Sequence, residues 1–299
     1  MNNVIEIKNL KKYYDNTRAV DGISFEVRKG EVFAFLGPNG AGKTTTLEII
    51  EGLRKKDDGE VIYFGRYNSP SDFYIKERIG VQLQNSAFFD NLTVFETLNM
   101  FAGLYKKSYN VKKLIDMISL NEKRKAKVKE LSGGQKQRLA IAVALVNDPE
   151  IIFLDEPTTG LDPQARRMIW EIIIELKKSG KTIVLTTHYM EEAEQLADRV
   201  HIIDHGKIIA SGTVDDLIKS LKKETVIVFK TENQKLFEEK FKCIIIDNKV
   251  ELETNNIEKD MLKLLEFSKI NNINLEDILI RKPNLEDVFL NITGRSLRD

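Results

Sequence analysis

Cysteine is nearly absent: Cys243 stands alone among 299 residues. No disulfide can close within the chain, and a reducing cytosol is its expected home. Net charge is absent too, with 46 basic residues against 46 acidic ones. Nothing global draws such a chain to nucleic acid or to an anionic membrane surface, so no nucleic-acid partner is expected. No apolar run approaches the roughly 18–20 residues that cross a bilayer. The opening Met-Asn-Asn-Val-Ile-Glu-Ile-Lys lacks the basic start and apolar core of a signal peptide. Any membrane role is then expected to be peripheral. What is present is the balance of a soluble globular protein, 42% apolar and 31% charged. The length suits one large or two modest domains.

The most informative stretch runs Gly37-Pro38-Asn39-Gly40-Ala41-Gly42-Lys43-Thr44, a full match to the phosphate-loop pattern G-x-x-x-x-G-K-[ST]. Its context fits. Glu31–Leu36 is an almost continuous apolar run, as in a strand buried on both faces. Thr44–Leu53 reads as a helix with Gly52 near its end. The glycines let backbone wrap an oligophosphate, and the helix N-terminus, with Thr45 in its first turn, points unpaired N–H groups at it. Lys43 supplies a cation to the β- and γ-phosphates, and the Thr44 hydroxyl can ligate Mg²⁺. A nucleoside triphosphate is the expected ligand.

Upstream, Val4–Ile7 and Ile23–Val27 alternate apolar and polar residues, as antiparallel strands with one solvated face do. Between them lie Tyr13 and Tyr14, just before a polar turn. A tyrosine here is either a stacking platform for adenine, a contact of about 1–3 kcal/mol by analogy with other nucleobases, or a packed strand-edge ring. Further strands are read at Glu60–Phe64 and at Ile79–Leu83, the latter ending at Gln84. From about 87 to 149 the texture is mainly helical, with an apolar crowd at Phe88–Phe101 and a basic run at Asn121–Glu130 whose ordinary reading is a solvated face.

Leu131-Ser132-Gly133-Gly134-Gln135 then opens a helix to about Asn147, with Ser132 as N-cap and two glycines that let a ligand approach the helix's positive end. Ile151–Glu156 is a buried-type strand ending in two acids, where parallel sheets place their ligands. Asp155 would hold Mg²⁺, and Glu156 would orient and deprotonate an attacking water. Another buried strand, Thr182–Thr187, delivers His188, either a structural hydrogen-bonding residue or a donor to a γ-phosphate. From about Glu224 the pattern becomes strand (Thr225–Lys230), helix (Gln234–Lys240), strand (Cys243–Ile246), a turn at Asp247-Asn248, strand (Val250–Thr254), helix (Ile257–Ile270), strand (Ile273–Ile280) and a final helix near Leu285–Ile292. That is the order of a ferredoxin-like split unit. It carries no His/Cys cluster, Gly-rich loop or acid pair, and reads as a non-catalytic accessory domain.

Taken in order, these motifs resemble those of a nucleotide-binding subunit of an ATP-binding-cassette (ABC) transporter, over about residues 4–216. Gly37–Thr44 match Walker A, Gln84 the Q-loop, and Leu131–Gln135 the signature. Ile151–Glu156 match Walker B with its catalytic glutamate, Gly160-Leu161-Asp162 the D-loop, His188 the switch histidine, and Tyr14 the aromatic A-loop better than Tyr13. Phe35–Gly40 and Leu290–Asp299 narrow the likeness to single-cassette ATPases of ABC-2-type exporters, including the daunorubicin- and bacitracin-resistance kind. Relatives often carry Met in place of Gln135, a departure that leaves the phosphate contacts of Ser132 and the glycine amides intact.

The resemblance implies an α/β P-loop ABC cassette at 1–220, comprising a mixed core sheet, an antiparallel β-subdomain and a helical subdomain inserted at about 87–149. An accessory domain would fill 221–299. It implies ATP and Mg²⁺ as ligands, with Thr44, Gln84 and Asp155 at the metal. Two copies would meet head-to-tail across two ATP molecules, so that Ser132 and Gly134 of one bind the γ-phosphate held by Lys43 of the other. Glu156 would promote hydrolysis, and Asp162 and His188 would link the two sites. Gln84 would report nucleotide state to a separate polytopic permease, with the chain on the inner face of the cell membrane. The Phe88–Phe101 patch would be either that partner's docking groove or plain subdomain core. A rival class is a soluble cassette ATPase of translation or DNA repair. Such factors usually carry two cassettes or a long coiled coil, and this chain has one cassette and no sustained heptads.

Overall fold

The computed structural model describes residues 3–66, 72–84, 86–221, 224–246 and 248–294. The chain begins β1 (Asn3–Tyr14), β2 (Thr17–Arg28), β3 (Val32–Leu36), α1 (Lys43–Glu51), β4 (Asp58–Tyr63), α2 (Phe73–Lys76) and β5 (Ile79–Gln82). It continues α3 (Val94–Ala102), α4 (Val111–Met117), α5 (Gly133–Ala144), β6 (Ile151–Asp155), α6 (Pro163–Lys178), β7 (Thr182–Thr187), α7 (Met190–Leu196), β8 (Arg199–Asp204) and β9 (Lys207–Gly212). Last come α8 (Val214–Ser220), β10 (Thr225–Lys230), α9 (Gln234–Lys240), β11 (Cys243–Ile246), β12 (Lys249–Thr254), α10 (Ile257–Ile270), β13 (Glu276–Arg281) and α11 (Leu285–Thr293). Two compact units result, the first ending at Val214 and the second beginning at Asp215.

The first unit holds two sheets. One is antiparallel, ordered β2-β1-β4. Its hairpin is longer than the two short alternating runs suggest, because bulges absorb the breaks in pattern. The register slips between Ile7 and Leu10, where Asn9 takes a left-handed φ of 49°, and pairing then resumes as far as Tyr14 against Thr17. The second sheet runs β5-β6-β7-β3-β8-β9, parallel except for the closing β8–β9 hairpin. Every residue of β3, β6 and β7 is buried, as strands covered on both faces require. Phe33, Phe35, Leu47, Ile50 and Phe153 anchor a core that this sheet shares with α1 and the antiparallel sheet. Between β5 and β6 lie α3, α4, two single 3₁₀ turns and α5. The α5 helix stops at Ala144 rather than Asn147, with Leu145 as its C-cap.

The second unit carries the sheet β11-β12-β10-β13, antiparallel throughout. With α9 and α10 in sequence between its strands this is the split βαββαβ arrangement. Phe229, Phe237, Val250 and Leu264 fill its own small core. The last strand starts at Glu276, three residues later than Ile273, and its second residue, Asp277, is left-handed (φ 49°). The turn expected at Asp247-Asn248 falls partly outside the described residues, as does the end of the Leu290–Asp299 phrase.

Candidate active site

The parallel strands end in a row, and their C-terminal edge gathers the candidate residues. The β3 strand delivers the loop 37–42, which packs tightly enough to require glycine at two points. A Cβ on Gly37 would strike the carbonyl of Ile203, and one on Gly42 (φ 104°) the carbonyl of Ala19. Gly42 is also the N-cap of α1; it supplies no capping side chain, and no acid sits in the first turn. The first N–H groups of α1 therefore face the loop without a side-chain acceptor, the arrangement that receives an anion.

Lys43 is buried, and its ammonium donates to the carbonyls of Gly37 (2.8 Å) and Pro38 (3.1 Å). It also lies 3.4 Å from Glu156 Oε1. Burial pushes its pKa down, opposed by the Glu156 carboxylate. The neighbouring Thr44 hydroxyl donates to Asp155 Oδ1 at 3.1 Å. Burial raises the Asp155 pKa, and the hydroxyls of Thr186 and Thr44 counter it.

Glu156 is where the elements converge. It sits one residue past β6 in a left-handed conformation (φ 45°), a strained geometry for a non-glycine residue. Its backbone N–H donates to Thr186 Oγ1 at 2.9 Å. Around Oε2 lie His188 Nδ1 at 3.2 Å, Thr159 Oγ1 donating at 3.1 Å and Gln84 Nε2 donating at 3.4 Å. His188 chiefly, with help from Lys43 and against the cost of burial, holds the Glu156 carboxyl down at about 2. One carboxylate thus connects the phosphate loop, the end of β5 and the end of β7. A second buried acid braces the loop beyond it: Glu192 accepts from Thr158 Oγ1 (2.8 Å) and Trp170 Nε1 (3.1 Å).

Other candidates lie apart from this cluster. Ser132 caps α5 in a reciprocal box with Gln135: the Ser132 N–H donates to Gln135 Oε1 (2.9 Å) and the Gln135 N–H to Ser132 Oγ (3.3 Å). Methionine at 135 could not make the first bond. Gly133 has open space around it, whereas a Cβ on Gly134 would press against Ala165 of α6. Asp162 caps α6 by accepting from the Ala165 N–H at 2.9 Å. The Ser132–Gln135 and Asp162 motifs are therefore neighbours, and no described contact ties them to the phosphate loop of the same chain. Tyr14, 37% exposed, accepts from Arg54 Nη1 at 2.6 Å, and the Lys12 and Arg54 cations flank its ring. It is not a core residue.

Sequence reasoning missed Thr186 and Thr159, which hold the two acids in place. Thr186 stands opposite Asp155 in the β6–β7 register, so knowledge of strand neighbours would have found it. Among the described residues no group of three or more His, Cys, Asp or Glu forms a metal cluster, and no helix is long and apolar enough to cross a membrane.

The sequence and the fold match known proteins. Residues 20–159 match the family model described as ABC transporter. The linearmycin resistance ATP-binding protein of Bacillus subtilis is 37% identical over 314 residues, spanning 99% of this chain and 100% of that protein. The Nod factor export ATP-binding protein I of Burkholderia lata is 40% identical over 304 residues, spanning 99% and 98%. Among solved structures, a dimeric post-hydrolysis cassette bound to ADP and Pi superposes with a TM-score of 0.63 at 28% identity, covering 70% of this chain and 98% of that one. The cassette cbiO1 of Clostridium perfringens gives 0.66 at 28% identity, covering 74% and 93%. With the phosphate loop, the paired acids and the capped Ser-Gly-Gly helix in place, the chain belongs to the ABC transporter family of ATP-binding cassette ATPases.

Proposed function

We propose that this chain is the ATP-binding and ATP-hydrolysing subunit of an ABC-2-type exporter, and that it works as a head-to-tail dimer closed by two ATP molecules. The observation that carries the reading is the convergence of Lys43, Gln84 and His188 on the single carboxylate of Glu156. In the present arrangement Glu156 is a weak base, held by the Lys43 ammonium and the His188 ring. Incoming β- and γ-phosphates would draw the Lys43 ammonium off its loop carbonyls, and His188 would turn to the γ-phosphate. Glu156 would then stay buried with less positive charge beside it. Its proton affinity would rise into the range where it can take a proton from water. Chemistry would thus be switched on by the substrate.

Mg²⁺ fits the residues present. Thr44 and Asp155 offer a hydroxyl and a carboxylate 3.1 Å apart, hard oxygen donors, and the absence of a fuller cluster among the described residues suits an ion that keeps waters and phosphate oxygens. When bound it would neutralise developing charge on the phosphates. Gln84 would reach the ion or the water from its seat on Glu156.

The Ser132–Gly134 and Asp162 motifs, remote from the phosphate loop of their own chain, would complete the site of a second copy. Binding energy across that interface exists only in the closed dimer, so ATP shifts the population toward it. Gln84 also lines a groove of about 260 Å³ with Phe88, Lys136 and Gln137. The nearby apolar crowd divides. Val94 and Leu98 are fully buried core, while Phe89 and Met100 are exposed and would meet a cytoplasmic segment of the membrane subunit. Cargo choice would rest with that subunit, because relatives of similar identity are named for linearmycin resistance and for Nod factor export. Residues 1–220 would form the cassette and 221–299 the accessory domain. Affinity capture of the tagged chain from gently solubilised native membranes tests the assignment. A stoichiometric polytopic membrane protein is expected; ribosomes or repair factors alone, captured by a chain that hydrolyses ATP, would favour the soluble class.

A further inference from the structure

The second unit ends its sheet on an exposed edge. All six residues of β13, Glu276-Asp277-Ile278-Leu279-Ile280-Arg281, are exposed, including three large aliphatics. It pairs with β10 on one side, and among the described residues no strand lies on the other. Such an edge is a template for strand addition, and natural sheets ordinarily guard it with charge, bulge or proline inside the strand. Here the bulge beside Asp277 leaves Leu279–Arg281 as regular ladder, and the charges stand at the two ends.

The flank of α10 continues the apolar surface. Leu264 faces the core, and Asp260, Lys263, Phe267 and Ile270 line the cleft on the α9 side. Leu262 and Leu265 lie about a quarter to half a turn round in the opposite sense, toward β13 by helical geometry. They are 57% and 45% exposed. Ile280 stands opposite Ile227, a residue of the helix-covered face, so it projects to the same side as these leucines.

We infer that β13 pairs with β13 of a second copy across a two-fold axis at Leu279, joining two four-stranded sheets into one of eight strands. The sequence is self-complementary in that register. Run antiparallel against itself, Leu279 meets Leu279 and Ile278 meets Ile280, with Glu276 and Asp277 beyond the bulge on the side of Lys282 and Arg281. Apolar residues fall together at the centre and opposite charges at the two ends, as an isologous interface demands. No other register centred on the strand brings both acids to the side of both bases. Leu262 and Leu265 of each α10 would close over the junction. A strand edge and two leucines make less than the roughly 800 Å² per partner of a stable interface. The contact is therefore weak alone, and it is distinct from the ATP-closed cassette interface.

The test is disulfide trapping of the full chain without nucleotide. In a Cys243→Ser background, Leu279→Cys places two thiols face to face on the axis. Mild oxidation should link it at least about tenfold faster than Lys235→Cys, an exposed α9 position, because pairing raises the local thiol concentration. Asp277 and Arg281 already hold Lys230 and Glu251 within the chain, so the charge test uses the outer pair. Lys282→Glu or Glu276→Lys alone should slow the Leu279→Cys link, and the two together should restore it. Equal rates at 279 and 235, or a double reversal that fails to restore, would overturn the proposal. Protection of the Leu279→Cys thiol from maleimide only when a membrane subunit is present would also overturn it, assigning the edge to that partner.

Discussion

Two strands define the contrast between the units: β6, with every residue buried and two acids at its end, and β13, with every residue exposed and charges at both ends. The first is sealed on both faces, so its terminal carboxylates sit where solvent is scarce and protein groups stand in for it. Their pKa values then part: His188 chiefly pulls Glu156 down, while burial pushes Asp155 up. The second has no enclosed acid beside it, and its ionic groups form exposed pairs such as Lys230–Asp277. Enclosure suits a reaction site and an open edge suits a contact, and the proposals above assign one role to each unit.

Substitutions at the enclosed site should produce the largest effects. Glu156→Gln should retain ATP binding and lose turnover by about 10²–10⁴-fold, the ordinary contribution of a positioned base, read by phosphate release. Lys43→Ala should weaken nucleotide affinity itself, read by titration with a fluorescent ATP analogue; unchanged affinity would remove the phosphate-loop role. Next come the two cores. Phe35→Ala and Phe229→Ala should each cost about 3–5 kcal/mol. Phe229→Ala should melt the second unit alone and leave ATP affinity untouched, whereas Phe35→Ala should abolish binding. Loss of binding in both would show that the units are energetically one.

A smaller effect follows from His201 of β8, packed against Phe25, Phe33 and Phe35. Burial, reinforced by Arg199, lowers its pKa from 6.5 to about 4. The unfolded chain therefore takes up a proton before the folded one does. Stability from this residue is present above pH 6.5, falls as pH drops, and levels off near pH 4. Denaturant melts at several pH values should show that slope, and His201→Phe should flatten it. Smallest is the α5 cap: Ser132→Ala should cost about 1 kcal/mol, and Gln135→Met about 0.5–1.5 kcal/mol through loss of the reciprocal bond.

Legibility followed the same divide. The phosphate loop, the capped α5 helix and the acids of β6 were readable because each is a local pattern whose chemistry depends on residues adjacent in sequence. The order of the second unit was readable from alternation alone. What escaped needed neighbours in space. The grip of Thr186 on Asp155 depends on strand register across 31 positions. Gathering Lys43, Gln84 and His188 on one carboxylate depends on three strand ends meeting. The full length of the β1–β2 hairpin was hidden because bulges interrupt the alternation that marks a strand.

Sedimentation velocity of the Glu156→Gln variant with ATP, at a concentration where the nucleotide-free protein is monomeric, tests the central claim most directly. A shift to dimer with ATP, reversed by adding Lys43→Ala, is the predicted result. A variant that binds ATP yet stays monomeric would contradict the account of two copies completing each other's site.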